Sequence, residues 1–139
     1  MGADLGAWSI TLAKASELTG LSRSSLLRRA DEGKLQTVFV SGQIAVRPGG
    51  GPMDVVGTTM QEQTRQAMRN VETVLKAAGS SLDKVVKITI LLAKPDQMKE
   101  MNEAYAEFFP NNKPAQAITR FGPEIPGILV SIEAMALAA

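Results

Sequence analysis

The sequence predicts an α/β (α+β) fold in which a mixed β-sheet carries two helices packed on one face. From residue 38 onward, strand-length apolar runs alternate with two long amphipathic patterns in the order β-α-β-α-β-β. A chain of 139 residues suffices for one buried core. Little of it remains to cover the second face of the sheet, so we expect oligomerisation to cover that face.

The first strand and the first helix have clear signals. In VFVSGQIAV, residues 38–46, apolar and β-branched residues surround Gly42, which indicates a bulge or a close approach by another group. The segment at 58–81 then predicts an amphipathic helix, with Thr59 and Glu62 spaced as a capping box and Gly79 at its end. Its face towards the core is predicted to contain Met60, Thr64, Ala67, Met68, Val71, Val74, Leu75 and Ala78.

The second half of the chain predicts three more strands and one more helix. The run from Val85 to Leu92 has strand length and is expected to be buried on both faces or nearly so. Pro95 and Asp96 start a helix whose predicted apolar face contains Met98, Met101, Tyr105 and Phe108. AQAITRF and GILVSIEAMAL are the last two strands, separated by GPEIPG.

Composition restricts the possible chemistry. The chain has no Cys and no His, which excludes thiolate nucleophiles, disulfides and Cys/His metal sites. Its formal charge of +1 gives no global basic or acidic footprint, so we expect no nucleic-acid partner. Because no run is long enough to span a membrane and the first residues do not resemble a signal peptide, we expect a cytoplasmic protein without a membrane partner.

The N-terminal segment, residues 1–36, differs from the domain predicted for residues 37–139. Residues 15–35 are similar to a helix-turn-helix of the excisionase or MerR type, in which Arg23, Arg28 and Arg29 would contact DNA. The alternative is an amphipathic surface helix that binds nothing. The sequence leaves both interpretations open.

Several motifs after the N-terminal segment follow the order and spacing of one known family. They are Ser41-Gly42-Gln43 on a strand, Ala77-Ala78-Gly79 ending a helix, Asn102 followed by Tyr105 and Phe108-Phe109, Pro114-Ala115, and Ile132-Glu133-Ala134. Over about residues 36–138 the chain resembles the reactive intermediate deaminase (RidA/YjgF) family, also called L-PSP endoribonucleases. The resemblance implies a chorismate-mutase-like fold, a homotrimer and small-molecule clefts between subunits.

The activity that the resemblance implies is hydrolysis of enamines and imines, such as 2-aminoacrylate, to a keto acid and ammonia. This hydrolysis requires no cofactor and no metal. In the family an arginine directly after Pro-Ala clamps the substrate carboxylate, and in this chain that position is Gln116. The resemblance assigns Gly42 and Asn102, with Gln116, to substrate binding and Glu133 to catalysis, as the carboxylate that holds water.

Two departures from the family pattern bear on activity. Gln116 offers no charge and no bidentate fork, and the family's upstream Gly-Pro-Tyr-Ser-Gln has no counterpart here. Arg120 shares a strand face with Gln116 but lies about 13 Å further along, which makes it a poor substitute. Lys113 or Arg47 from a neighbouring subunit is no better supported as a substitute. We therefore expect a weak or altered deaminase; the alternative is a non-catalytic binding or interaction module that uses the cleft between subunits.

Overall fold

The computed structural model describes residues 36–122 and 124–138. The predicted order of strands and helices is confirmed within this part of the chain. The elements are β1 (Gln36–Gln43), α1 (Met60–Ala77), β2 (Val85–Leu92), α2 (Met98–Ala106), β3 (Ala115–Arg120) and β4 (Val130–Ala138), with short 3-10 helices at Leu82–Lys84 and Pro95–Gln97.

The described strands form a mixed sheet in the spatial order β1-β4-β2-β3. Strand β4 pairs antiparallel with both β1 and β2, whereas β2 and β3 are parallel. Parallel neighbours need a crossover connection, and α2 lies in that connection. The prediction of a mixed sheet with two helices is therefore confirmed, and α2 is brought beside the edge strand β3.

Helix α1 forms as its signals predict. The Thr59 hydroxyl accepts the backbone N–H of Glu62, and the Glu62 carboxylate accepts the N–H groups of Thr58 and Thr59 at 2.9 and 3.0 Å. After the helix, Gly79 adopts a φ of +78°, which favours glycine. The predicted core face is confirmed except at Val74 and Ala78, which are exposed.

A buried glutamine in α1 was not predicted. Gln63 is 1% exposed, and its Nε2 donates to the carbonyl oxygens of Gly57 and Gly127 at 3.1 and 2.8 Å. Its Oε1 accepts the N–H of Leu129 at 2.9 Å. The amide thus connects the loop before α1 to the loop before β4, and its buried polar atoms are hydrogen-bonded as burial requires.

Both helices pack on one face of the sheet. One apolar cluster joins Met68 and Leu75 of α1 and Met101 of α2 to residues of the sheet. The sheet residues are Val40, Val85, Ile88, Ile90, Leu92, Val130, Ile132, Ala134 and Ala136. This cluster is the core of the described chain.

The opposite face of the sheet, which we call the open face, is not covered by any helix of the described residues. Phe39 on this face is 59% exposed, and Lys87, Thr89 and Leu91 alternate with the buried residues of β2 and are only half-buried. The expectation that β2 is buried on nearly both faces is therefore wrong for a single copy of the chain. No helix among the described residues is long and apolar enough to cross a membrane.

Helix α2 starts after the 3-10 turn at Pro95–Gln97. Met101 and Tyr105 are buried as predicted, but Met98 is 46% exposed. Beyond the helix it is Phe109, rather than the predicted Phe108, that is fully buried, because the chain leaves the helical path after Ala106. The structural interpretation of the N-terminal segment lies outside the described residues.

Candidate functional site

A pocket of about 220 Å³ lies between α2 and the start of β3. It is lined by Asn102, Tyr105, Ala106, Phe109, Lys113 and Gln116. Gln116 pairs in register with the core residue Ile88, so its side chain lies on the helix-covered face of the sheet. Two of the predicted binding residues, Asn102 and Gln116, are therefore brought together.

The two amides are in weak contact. Gln116 Nε2 donates to Asn102 Oδ1 over 3.4 Å, well beyond the usual 2.9 to 3.0 Å of a good hydrogen bond. Gln116 is exposed and Asn102 is half-buried. A ligand with a carbonyl or carboxylate oxygen can replace this contact at little cost.

Tyr105 is part of the same pocket and carries an unsatisfied group. Its hydroxyl is buried without a hydrogen-bond partner among the described residues, and its ring packs on Phe109 with centroids 5.1 Å apart. Burial raises the pKa of Tyr105 to about 12, so the phenol is neutral at physiological pH. A buried unpaired hydroxyl is costly, which makes this wall of the pocket a place where a polar partner is favoured.

Glu133 lies in a second pocket, of about 260 Å³, on the open face. Glu133 pairs in register with Thr89, and Phe39, Ser41 and Lys87 also line this pocket. The carboxylate is exposed and makes no hydrogen bond or ion pair within the described chain. It is therefore accessible to water, as a group that activates water has to be.

Gln116 and Glu133 occupy opposite faces of one sheet. Gln116 aligns with Ile88 of the core, whereas Glu133 aligns with the neighbouring Thr89 of the open face. Successive strand residues point to opposite sides. A single copy therefore does not bring the predicted catalytic carboxylate to the predicted binding amides.

Gly42 has a structural role in the pairing of β1 with β4. The β1–β4 register shifts between Val40 and Gln43, which confirms the predicted irregularity at this glycine. A Cβ atom at Gly42 would lie 2.6 Å from the Oγ of Ser131, and that side chain is 7% exposed. The close approach predicted at Gly42 is thus made by β4, and its assignment to substrate binding stays a prediction.

Arg120 does not reach the pocket at Gln116. It pairs in register with Leu92 and therefore shares the face of Gln116, as predicted. Its guanidinium lies 3.7 Å from the Glu124 carboxylate, and it is not among the residues that line the pocket. Lys87 and Thr89 were not predicted as pocket residues, although their alternation with Ile88 and Ile90 was an available signal. Lys113, which lies in a loop without periodicity, was weighed only as a substitute for the missing arginine and was not predicted to line this pocket.

Comparison with known proteins decides the family. The sequence model of Endoribonuclease L-PSP matches residues 33–138. The chain belongs to the L-PSP endoribonuclease family, which is also the RidA/YjgF family. The family's upstream tyrosine motif corresponds to residues outside the described part of the chain.

Relatives in this family carry more than one kind of name. A 2-iminobutanoate/2-iminopropanoate deaminase of Homo sapiens is 36% identical over 102 residues, covering 73% of this chain and 73% of that protein. A RutC family protein of Pyrococcus horikoshii is 37% identical over 99 residues, covering 71% of this chain and 77% of that protein. The family to which this chain belongs therefore includes proteins named as imine deaminases.

Solved structures of the L-PSP family share the fold. Yeast Mmf1 has a TM-score of 0.68 at 30% identity, covering 74% of this chain and 80% of that one. TdcF of E. coli, solved with bound serine, has a TM-score of 0.66 at 27% identity, covering 74% and 81%. These likenesses agree with the mixed four-stranded sheet and two helices described above.

Proposed function

We propose that the protein hydrolyses small enamines and imines of the 2-aminoacrylate type to a keto acid and ammonia, with activity that is weak or altered. The observation that carries the proposal is Gln116, which lies beside Asn102 in a pocket of the fold but lacks the charge of the family's arginine. The human relative's name, an imine deaminase, supports the reaction class. Serine bound to TdcF supports a small carboxylate ligand.

The proposed chemistry needs a water molecule and one carboxylate. An enamine such as 2-aminoacrylate first takes a proton from solvent at its terminal carbon and becomes the iminium ion. Water then adds to the iminium carbon while the Glu133 carboxylate accepts one of its protons. The same group returns this proton to nitrogen, the C–N bond breaks as the hydroxyl proton passes back to solvent, and ammonia leaves a 2-oxo acid. Every proton is accounted for without a cofactor.

The proposal includes a homotrimer with its ligand clefts between copies. Two observations support association: Glu133 is exposed on the open face, and Gln116 and Glu133 lie on opposite faces of one sheet. Packing copies through the open face would cover Glu133 and allow one copy's Glu133 to lie near another copy's Gln116. The proposed active site is therefore shared between subunits.

The effect of the missing arginine has an expected size. Charge-assisted hydrogen bonds contribute roughly 1.5 to 3 kcal/mol against about 1 kcal/mol for neutral ones. Carboxylate anchoring by Gln116 alone should therefore be weaker by several-fold to about thirtyfold. Loss of alignment would add to this penalty.

A coupled assay tests the activity directly. A dehydratase generates 2-aminoacrylate from serine, and release of pyruvate is followed with and without this protein. We expect acceleration below that given by the human deaminase, and we expect Gln116→Arg to raise the rate. Gln116→Leu, which removes the amide as well, is the matched control and should lower it. Acceleration by the unaltered protein equal to that by the human deaminase contradicts the claim of impairment.

A non-catalytic binding module is the second candidate. The neutral Gln116 and Asn102 amides favour it, because they suit an uncharged or amide-bearing ligand as well as a carboxylate. Thermal-shift measurements across a panel of small metabolites would detect such a ligand. Absence of any shift, together with turnover in the coupled assay, rejects this candidate.

A further inference from the structure

The pocket at Gln116 is lined by one basic side chain, that of Lys113. Lys113 lines it together with Gln116 and Asn102, and none of its lining residues is a carboxylate. Lys113 is exposed and forms no ion pair within the described chain. Its ammonium group is therefore not neutralised by a described neighbour and is available to an anionic ligand.

The backbone around Lys113 restricts where this charge lies. Lys113 precedes Pro114, and a residue before proline is held in the extended region. Pro114 itself is buried and leads directly into β3 at Ala115. The loop end is thus anchored to the sheet only three residues from Gln116, so the lysine and the amide are presented to the same pocket.

Arg120, the other basic residue near Gln116, is differently placed. It lies at the far end of β3, is paired with Glu124 at 3.7 Å, and does not line the pocket. The contrast between the two basic residues on either side of Gln116 favours Lys113.

We propose that Lys113 supplies the positive charge that binds the ligand carboxylate, while Gln116 and Asn102 add neutral hydrogen bonds. The inference rests on the proposed ligand site and names its substrate class: small 2-imino or 2-oxo carboxylates. At about 220 Å³ the pocket is smaller than those that hold drug-sized ligands, which suits a ligand of a few carbons. The lysine ammonium is a flexible point charge, unlike the planar, bidentate guanidinium of arginine. It therefore attracts the ligand carboxylate without fixing the orientation of the ligand.

The test compares a carboxylate with its neutral isostere. Binding of 2-oxobutanoate and of 2-oxobutanamide is measured by ligand-observed NMR titration. The unaltered protein should prefer the carboxylate, with a preference that falls as salt is added. Lys113→Gln should weaken binding of the carboxylate by about tenfold and leave the amide nearly unchanged.

Three further variants sharpen the result. Arg120→Gln removes an exposed charge outside the pocket and should leave binding of both ligands unaffected. Lys113→Arg keeps the charge and should retain the preference for the carboxylate. In the Gln116→Arg background the effect of Lys113→Gln should shrink, because the strand then carries a charge of its own.

The outcomes separate this inference from the proposed function. Equal binding of the two ligands, no carboxylate binding at all, or equal effects of Lys113→Gln and Arg120→Gln overturns the role of Lys113. Imine hydrolysis that Lys113→Gln leaves unchanged overturns this role while the proposed function stands. Carboxylate binding that depends on Lys113 but occurs without hydrolysis supports this role and rejects the proposed function.

Discussion

At the scale of single residues, Gly42 illustrates how a family motif can be structural. A side chain at this position would meet Ser131 within β4, so the bulge of β1 and the packing of β4 depend on each other. This contact explains a glycine at position 42 without any ligand. The ligand role implied by the family resemblance therefore needs a test that separates binding from stability.

Substitution at Gly42 tests the structural part of this explanation. We expect Gly42→Ala to lower the free energy of unfolding by about 1 to 2 kcal/mol, because the new methyl group overpacks against Ser131. Ser131→Ala should recover most of this loss in the double variant. Gly51→Ala, at a site with open space around it, is the matched control. Urea unfolding at one protein concentration measures all four variants, and a loss that Ser131→Ala does not relieve contradicts the steric explanation.

At the scale of elements, the start of α1 couples stability to pH. The backbone N–H groups of Thr58 and Thr59 hold the pKa of Glu62 below its ordinary value of 4.5. A lowered folded-state pKa contributes stability that is present above the ordinary value and is lost as the pH falls through the folded-state value. The capping box therefore weakens in acid.

The variant Glu62→Gln isolates this effect. It should be less stable than the unaltered protein at pH 7, and the difference in urea midpoint should close as the pH falls below 4.5 and through the lowered folded-state pKa of Glu62. Arg65 lowers the pKa of Glu107 in a similar way, but that ion pair is present in both proteins and does not affect the difference. A midpoint difference that persists unchanged at the acid end contradicts the assigned role of Glu62.

The sequence predicted elements better than it predicted the site. Helix α1 has caps and a long periodic face, and these local signals depend only on neighbours in the sequence. The buried role of Gln63 was missed because it depends on contacts with Gly127 and Leu129, which are distant in the sequence. Lys113 was weighed as a substitute for the missing arginine but was not predicted to line the pocket, because it lies in a loop without periodicity. The resemblance supplied Asn102, Gln116 and Glu133 as site residues, but it gave no information about which face of the sheet each occupies.

At the scale of the whole molecule, the sheet has two unlike faces. The helix-covered face holds the core and the pocket with Gln116, while the open face holds Glu133 and the exposed Phe39. Strand β3 is an edge strand of the described sheet because it pairs only with β2 there, and five of its six residues are exposed. The candidate ligand residues are therefore at the rim of one copy, where another copy can approach.

The placement of Gln116 and Glu133 on opposite faces has a consequence for mixtures of defective subunits. If a working site takes Gln116 from one copy and Glu133 from another, a Gln116→Glu subunit and a Glu133→Gln subunit can complement each other. Co-refolding them in equal amounts should give about a quarter of sites with both native side chains, although each variant alone gives none. Pyruvate release in the coupled assay measures the recovery, and a mixture no more active than its parts contradicts a shared site. The residue missing from each chain would then be supplied by its neighbour.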